Sequence, residues 1–144
     1  MNMSPEILSL SGKDISQIGL NANKGRKIYA YYTEKESGPI TYEGLDKIFK
    51  LWAEDESAKK ANNEIMANAF GCLFGEMLKS EFGFEWMSIK DQYGIEKALM
   101  DNKTGSVVFP INSVWKRIEP ELDTTAFFKP MHDAIKQHLE KAIS

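Results

Sequence analysis

The stretch from Ala61 to Ser80 constrains the fold of this 144-residue chain more than any other. Its apolar residues leave little polar surface along its middle: Ile65, Met66, Phe70, Leu73, Phe74, Met77 and Leu78. A helix that is apolar on nearly every side is buried on nearly every side. The sequence therefore predicts a buried central helix, which Gly83 ends as a C-cap glycine.

Small residues recur every four positions on this predicted helix, at Ala67, Gly71 and Gly75. Such a stripe lets another element approach the helix closely, in soluble cores as in membrane helix dimers. Because no apolar run approaches the ~20 residues of a membrane span, we expect close packing in a soluble protein. Cys72 lies in the same run and is expected to be a buried, unreactive thiol.

The overall composition favours a cytoplasmic protein of one domain. The N-terminal residues lack the basic and apolar regions of a secretory signal, and the single cysteine cannot form an intramolecular disulfide. A chain of 144 residues with 42% hydrophobic residues is the right size for one domain with a core. Lys and Arg total 18 against 21 Asp and Glu, so the charge balance gives no sign of nucleic-acid binding.

Two helices are predicted before the central one. The first spans about residues 14–34, with Asp14 and Gln17 as a capping box and an apolar face made by Ile15, Ile18, Ala22, Gly25, Tyr29 and Tyr32. Gly25 on that face indicates close packing against a neighbour. The second helix begins after Thr41 as its N-cap and buries Tyr42, Leu45, Ile48, Phe49 and Trp52.

Three short strands are predicted after the central helix, at residues 84–89, 95–100 and 107–109. The first two are joined by the turn Asp91-Gln92-Tyr93-Gly94, whose first and last residues suit a type I turn. The last two are joined by a hairpin loop over residues 101–105. Short connections predict an antiparallel meander. Because three strands are not stable alone, one face is expected to cover the central helix.

Two further helices complete the predicted order. Asn112 or Ser113 is expected to cap a short helix that Pro120 limits, and the last helix covers about residues 125–142. Helices followed by a meander and then by helices are typical of an α+β fold. The predicted architecture is a single α+β domain over residues 1–144, in which N-terminal helices and a buried central helix pack against a three-stranded antiparallel meander, with a C-terminal helix.

No catalytic, metal or cofactor site can be assembled from the sequence. His132 and His138 are six residues apart in one predicted helix, so they point to different sides and cannot share a metal ion. The glycines are scattered and form no phosphate-binding loop. Ser88 and Cys72 have no base near them in the sequence, which leaves only pairing in space with a histidine. We therefore assign no catalytic residue, no metal ligand and no cofactor.

Seven residues are candidates for a binding site: Glu76, Trp86, Asp91, Tyr93, Trp115, Lys116 and Arg117. Glu76 interrupts an apolar helix, and a buried acid needs a partner. Either it forms a salt bridge at the helix edge with Lys79 or Arg117, or it is a pocket acid with a raised pKa. We expect the pair with Arg117. Asp91 is expected to cap its turn, while its neighbour Tyr93 lines a groove or joins the core.

The two tryptophans and the basic pair that follows Trp115 admit two interpretations. A planar ring beside a guanidinium, such as that of Arg117, makes a recognition site for carboxylates or for a partner protein. Alternatively, both Trp86 and Trp115 are buried between the sheet and the helices, and Lys116 and Arg117 form a solvated basic turn.

The residues from Ala69 to Glu119 resemble the DUF3806 family, a bacterial domain family of unknown function. The resemblance is carried by an ordered set of motifs: Phe70-Gly71, Phe74-Gly75-Glu76, Gly83-Phe84-Glu85-Trp86, Asp91-Gln92-Tyr93-Gly94, Ala98-Leu99, Val108-Phe109-Pro110 and Val114-Trp115-Lys116-Arg117-Ile118-Glu119. It implies the fold and a bacterial origin, and it brings no known activity or catalytic residue. Trp115 stands where a smaller residue is expected.

Two function classes follow from these features. The first is a non-enzymatic binding or protein-interaction domain, such as an immunity-type or accessory protein that occludes a partner, with no nucleic-acid or membrane contact. The second is a small-ligand binder or enzyme with a pocket around Glu76, Trp86, Asp91 and Arg117. A deep pocket that joins Glu76 and Arg117 favours a ligand, and a flat exposed aromatic patch favours a protein partner.

Overall fold

The computed structural model describes residues 4–33 and 38–143, and the fold is α+β as predicted. Five helices are described: α1 (Gly12–Thr33), α2 (Tyr42–Glu54), α3 (Asn63–Phe82), α4 (Pro110–Ile118) and α5 (Phe128–Ile143). Four strands accompany them: β1 (Glu6–Leu8), β2 (Glu85–Asp91), β3 (Gly94–Met100) and β4 (Val107–Val108). The predicted end of the first helix at residue 34 lies outside the described residues.

Helix α3 is the buried centre of the molecule, as its composition predicts. The side chain of Asn62 caps its first turn by accepting the amide of Ile65 at 2.8 Å. Gly83 ends the helix in the left-handed conformation at φ 77°, the conformation that glycine adopts without strain. The side chains that α3 contributes to the main core are almost fully enclosed: Met66, Ala67, Phe70, Leu73, Phe74 and Leu78.

Glycines on α1 and α3 let the neighbouring elements pack closely on α3. A β-carbon at Gly25 of α1 would lie 2.6 Å from the carbonyl oxygen of Ala69, so α1 rests on the α3 backbone. A β-carbon at Gly71 would lie 2.5 Å from the Cα of Ile111 in α4. One at Gly75 would collide with the indole ring of Trp86 in β2. The close packing expected at Gly25 and along the stripe is therefore confirmed.

The sheet has four antiparallel strands in the order β1-β2-β3-β4. The three predicted strands form the meander, in which Trp86 of β2 lies opposite Leu99 of β3. The additional strand β1 pairs Ile7 with Ile89 at the edge of β2. The prediction of three strands was therefore one short. The reason is that β1 has three residues, all exposed, and so carries no alternation of apolar and polar residues.

The starts of three helices differ from the predictions. Ser11, rather than Asp14, caps α1, because its hydroxyl accepts the amide of Asp14 at 3.1 Å. Helix α4 begins at Pro110, two residues before Asn112, where proline fits because the first turn needs no amide hydrogen bond. Helix α5 begins at Phe128 rather than near residue 125.

Asp46 of α2 caps the start of α5 across the core. Its carboxylate accepts the backbone amides of Phe127, Phe128 and Lys129 at 2.7, 2.9 and 3.0 Å. These are amides that a helix cannot satisfy from within. The cap ties the last helix to the second one, in the same region where Phe49 and Phe128 pack edge to face.

Candidate functional site

Glu76 and Trp86 are hydrogen-bonded to each other. The indole Nε1 of Trp86 donates to Oε2 of Glu76 at 3.0 Å, between β2 and α3. The Trp86 ring covers Gly75, and a β-carbon at Gly75 would also lie 3.3 Å from the ring of Pro110. The half-buried acid is thus satisfied by a neutral donor, and the indole ring is packed into the core with its only polar atom paired.

Arg117 pairs with Asp123, and the predicted pair with Glu76 is wrong. Its Nη1 lies 2.8 Å from Oδ2 of Asp123, and its guanidinium lies 4.8 Å above the ring of Phe127. Hydrogen bonds from the backbone and side chain of Thr125, and then the Arg117 charge, hold the pKa of Asp123 below its usual value. Arg117 and the exposed Lys116 line a depression of about 480 Å³ with Ser113, Phe127, Pro130 and Met131.

Asp91 caps the tight turn between β2 and β3, as expected. Its Oδ1 accepts the amide of Tyr93 at 2.8 Å, and Gly94 follows at φ 132°, a conformation that other residues rarely adopt. Tyr93 lies outside the core: 87% of its surface is exposed at the tip of the hairpin. Ile95, the next residue but one, is 62% exposed.

Trp115 is half-buried on α4 and faces the same hairpin. It bounds a depression of about 250 Å³ together with Ile95 of β3 and Ile111 of α4. Four polar residues also line this depression: Asn68, Glu96, Lys97 and Asn112. We name Tyr93, Ile95, Ile111 and Trp115 the hairpin surface. The structure therefore distributes the seven predicted site residues over separate places rather than around one pocket.

A buried histidine is the centre of a polar cluster that the sequence does not predict. His132 of α5 is stacked between the rings of Tyr42 and Phe82, at 4.1 and 5.5 Å between centroids. Its Nε2 lies 2.9 Å from Glu81 and its Nδ1 lies 2.9 Å from Asp133. Tyr42 also donates to Glu81 at 2.9 Å. No spacing in the sequence signals this cluster, because its members come from three distant helices.

Hydrogen-bond donors within the cluster stabilise the charged form of Glu81. Burial raises the pKa of Glu81, but the hydrogen bonds from His132 and Tyr42 outweigh this effect and hold the pKa below its usual value. Burial and the hydrogen bond to Glu81 raise the pKa of the Tyr42 hydroxyl. Within residues 4–33 and 38–143, no group of three or more His, Cys, Asp or Glu side chains is arranged to hold a metal ion.

His138 contacts a serine, but this is Ser106 and neither Ser88 nor Cys72. Its Nε2 lies 3.0 Å from Oγ of Ser106, at the edge of an apolar cavity of about 380 Å³ between β4 and α5. A serine beside a histidine is the start of a nucleophilic site only if the serine proton points at the histidine.

The proton count makes His138 a donor rather than a base. The hydroxyl of Thr104 has one proton, which it donates in a hydrogen bond to the carboxylate of Asp101 at 2.6 Å. This hydrogen bond is the main cause of the lowered Asp101 pKa. The proton shared at 2.8 Å between Thr104 and Ser106 must then come from Ser106, which leaves His138 to donate to Ser106. The chain of hydrogen bonds joins the 101–106 loop to α5 and holds no activated nucleophile.

The fold places the chain among α+β domains in which an antiparallel sheet packs beside a buried helix. The chain belongs to the DUF3806 family: a model described as a domain of unknown function (DUF3806) matches residues 45–128, more than half of the chain. Among curated proteins, none is significantly similar to this sequence. No helix in the described part of the chain is long and apolar enough to cross a membrane.

A solved structure with the same fold is similar to this chain. It is a crystal structure of a protein from Bacteroides thetaiotaomicron VPI-5482, with a TM-score of 0.72 and 14% sequence identity. The match covers 96% of this chain and 49% of that protein, so the present chain spans about half of its length. At this identity the similarity shows the fold alone.

Proposed function

We propose that this chain is a non-enzymatic protein-interaction domain that binds its partner through the hairpin surface. The observation that carries the proposal is Tyr93, which is 87% exposed at the tip of the β2–β3 hairpin. Large apolar and aromatic side chains that stand out together from a surface are typical of protein contacts. Ile95 adds a second exposed apolar side chain two residues away.

Two features support a binding role for this tip. Asp91 and Gly94 fix the turn, so Tyr93 is presented from a defined backbone and less conformational entropy is lost on binding. The depression next to Ile95 combines apolar lining at Ile111 and Trp115 with four polar residues. Protein interfaces likewise combine aromatic and apolar contacts with hydrogen-bonding groups.

The remaining predicted site residues have supporting roles in this proposal. Trp86 and Glu76 hold β2 against α3 behind the hairpin, and Lys116 and Arg117 offer cationic contacts at a separate depression. A ligand pocket shared by Glu76, Trp86, Asp91 and Arg117 gains no support, because their polar groups are engaged with Trp86, Tyr93 or Asp123. We further propose that residues 1–144 act as one bacterial, cytoplasmic domain of the immunity or accessory type.

Site-specific photo-crosslinking in cells tests the proposal. A benzophenone amino acid at Tyr93 or Ile95 should give the same discrete protein adduct, and Trp115→Ala should abolish it. The same photo-reactive residue at Leu20, which is 62% exposed on α1, is the matched control and should give no such adduct. Equal adducts from Leu20 and Tyr93, or none from the hairpin, would refute a partner at this surface.

A further inference from the structure

A groove between α1, the α2–α3 loop and the start of α3 is unused by the proposed function. It has a volume of about 360 Å³, within the range of pockets that hold small molecules. Lys24, Lys27 and Tyr31 of α1 line one side, and Lys59 and Lys60 of the loop line the other. We name it the lysine–tyrosine groove.

The floor and one wall of the groove are apolar. Ile28 of α1 and Ile65 of α3 line it between the lysines. Tyr31 is 68% exposed, and its ring is fixed edge-on against Tyr32 at 4.9 Å between centroids. Tyr32 is itself fixed by donating to Asp55 at 2.6 Å. A flat or aliphatic body placed here would be removed from water against an aromatic ring and two isoleucines.

The rim of the groove is cationic in a chain whose net charge is −3. Lys60 is anchored, because its ammonium donates to the carbonyl of Trp52 at 3.1 Å and lies 4.8 Å above the Trp52 ring. The ammonium groups of Lys24, Lys27 and Lys59 have no hydrogen bond or ion pair with any residue in the described ranges. Lys24 and Lys27 are three positions apart on α1, where like charges repel each other.

Asp55, the carboxylate that holds Tyr32 beside the groove, forms no ion pair with these lysines. Asp55 accepts the hydroxyl of Tyr32 and, at 2.8 Å, the amide of Ser57. Its interaction with the lysines is limited to the charge of Lys60, the smallest of the effects on its pKa. The groove therefore offers several cationic groups around an apolar floor, and an anion placed there would relieve the repulsion between them.

We propose that the lysine–tyrosine groove binds a small amphipathic anion, with a carboxylate or phosphate on an aromatic or aliphatic body. The anionic group contacts Lys24, Lys27 and Lys59, and the apolar body lies on Tyr31 above Ile28 and Ile65. The modest volume of the groove, about 360 Å³, fits one small molecule. A nucleic-acid strand would need an extended basic track instead. This site is separate from the hairpin surface, so either proposal can fail without the other.

Titration of the isotope-labelled protein with two probes tests this inference. The probes are 1-naphthyl phosphate and decanoate, and their neutral counterparts are 1-naphthol and decanol. We expect saturable amide shifts confined to residues 24–32 and 59–65, with the charged member binding at least about tenfold more tightly than the neutral one, or ~1.4 kcal/mol. A stronger response to the aromatic or to the aliphatic probe identifies the body that the groove prefers.

Variants then assign the charges. Lys24→Gln combined with Lys27→Gln and Lys59→Gln should weaken binding at least about tenfold, and Tyr31→Ala should weaken both probes. The matched control removes three exposed lysines elsewhere, through Lys13→Gln, Lys47→Gln and Lys50→Gln, and should change the affinity less than twofold. Thermal melting of every variant verifies folding.

Three outcomes would overturn the proposal. The first is the absence of saturable shifts at the groove, and the second is equal weakening by the control variant, which means that overall charge and not this site attracts the anion. The third is tighter binding of an acidic peptide of alternating Glu and Phe at the same residues, which identifies a protein segment as the occupant.

Discussion

The indole N–H of Trp86 donates a hydrogen bond to the carboxylate of Glu76 at 3.0 Å, so a neutral donor satisfies this half-buried acid in the middle of the central helix. Glu76→Gln keeps an acceptor oxygen and should change the free energy of unfolding by less than about 1 kcal/mol. Glu76→Leu removes the acceptor from a packed indole and should cost about 1–2 kcal/mol. Urea unfolding of both variants measures the difference.

The control is the double variant that combines Glu76→Gln with Arg117→Met. Because Arg117 pairs with Asp123, its removal should add to the effect of Glu76→Gln within about 0.5 kcal/mol. A larger coupling would mean that the two charges interact after all.

Gly75 and Gly19 should respond to alanine in opposite directions. A β-carbon at Gly75 meets the Trp86 ring, whereas one at Gly19 in α1 meets no atom within 4 Å. Gly75→Ala should lower the free energy of unfolding by about 1–3 kcal/mol through overpacking. Gly19→Ala should raise it by about 0.4–1 kcal/mol, because alanine restricts the unfolded chain. Melting temperatures that shift in the same direction would contradict the packing at Gly75.

Asp46→Ala should destabilise α5 from a distance. The substitution leaves three backbone amides without their acceptor, and the loss of one ordinary helix cap already costs about 0.5–2 kcal/mol. Hydrogen exchange should accelerate most in α5, although the substitution is in α2. Glu54→Ala, an exposed acid in the same helix, is the control and should stay within about 0.5 kcal/mol of the parent. Exchange that accelerates only in α2 would exclude the cap.

The polar cluster around His132, which includes Glu81, should contribute stability that is lost in acid. Because the pKa of Glu81 is lower in the folded protein than in the unfolded chain, the unfolded state takes up its proton first as the pH falls. The contribution is then complete above about pH 5 and declines as the pH falls through the unfolded and the folded pKa. Urea unfolding from pH 7 to pH 3 should show this decline, and Glu81→Gln should flatten it. Glu140→Gln removes an exposed acid of α5 as the control, and an identical flattening there would contradict the assignment.

Cys72 should resist thiol reagents in the native protein. It is 1% exposed, and burial raises the pKa of its thiol to about 11, so the reactive thiolate is scarce at neutral pH. Ser80→Cys places a thiol on the exposed end of the same helix and should react within seconds in the Cys72→Ala background. Rapid labelling of Cys72 without denaturant would contradict its place in the core.

The sequence predicts the elements whose signal is local. The apolar run of α3, the Asp91 turn and the Gly83 cap are each determined within a few residues, and each was found. Strand β1 was missed because three exposed residues have no periodicity. The Asp46 cap and the His132 cluster join residues about 50 to 80 positions apart, so no local pattern reveals them.

The wrong partner of Glu76 has a different cause. The prediction pairs Glu76 with an opposite charge, that of Arg117, whereas a half-buried carboxylate needs only a hydrogen-bond donor with good geometry. The indole of Trp86 supplies that donor because its ring already lies on Gly75. The seven candidate residues could be selected from the sequence, but their separation into several surfaces depends on packing over distances that spacing does not encode.

The edge strands of the sheet are short: β1 has three residues and β4 has two, whereas the inner strands β2 and β3 have seven each. A short edge strand offers few backbone groups to an incoming strand, which is a common protection against edge-to-edge pairing with other chains. Growth of the sheet by added strands is thereby discouraged at either side. The hairpin tip and the helix faces, by contrast, present side chains rather than unpaired backbone groups to the surroundings.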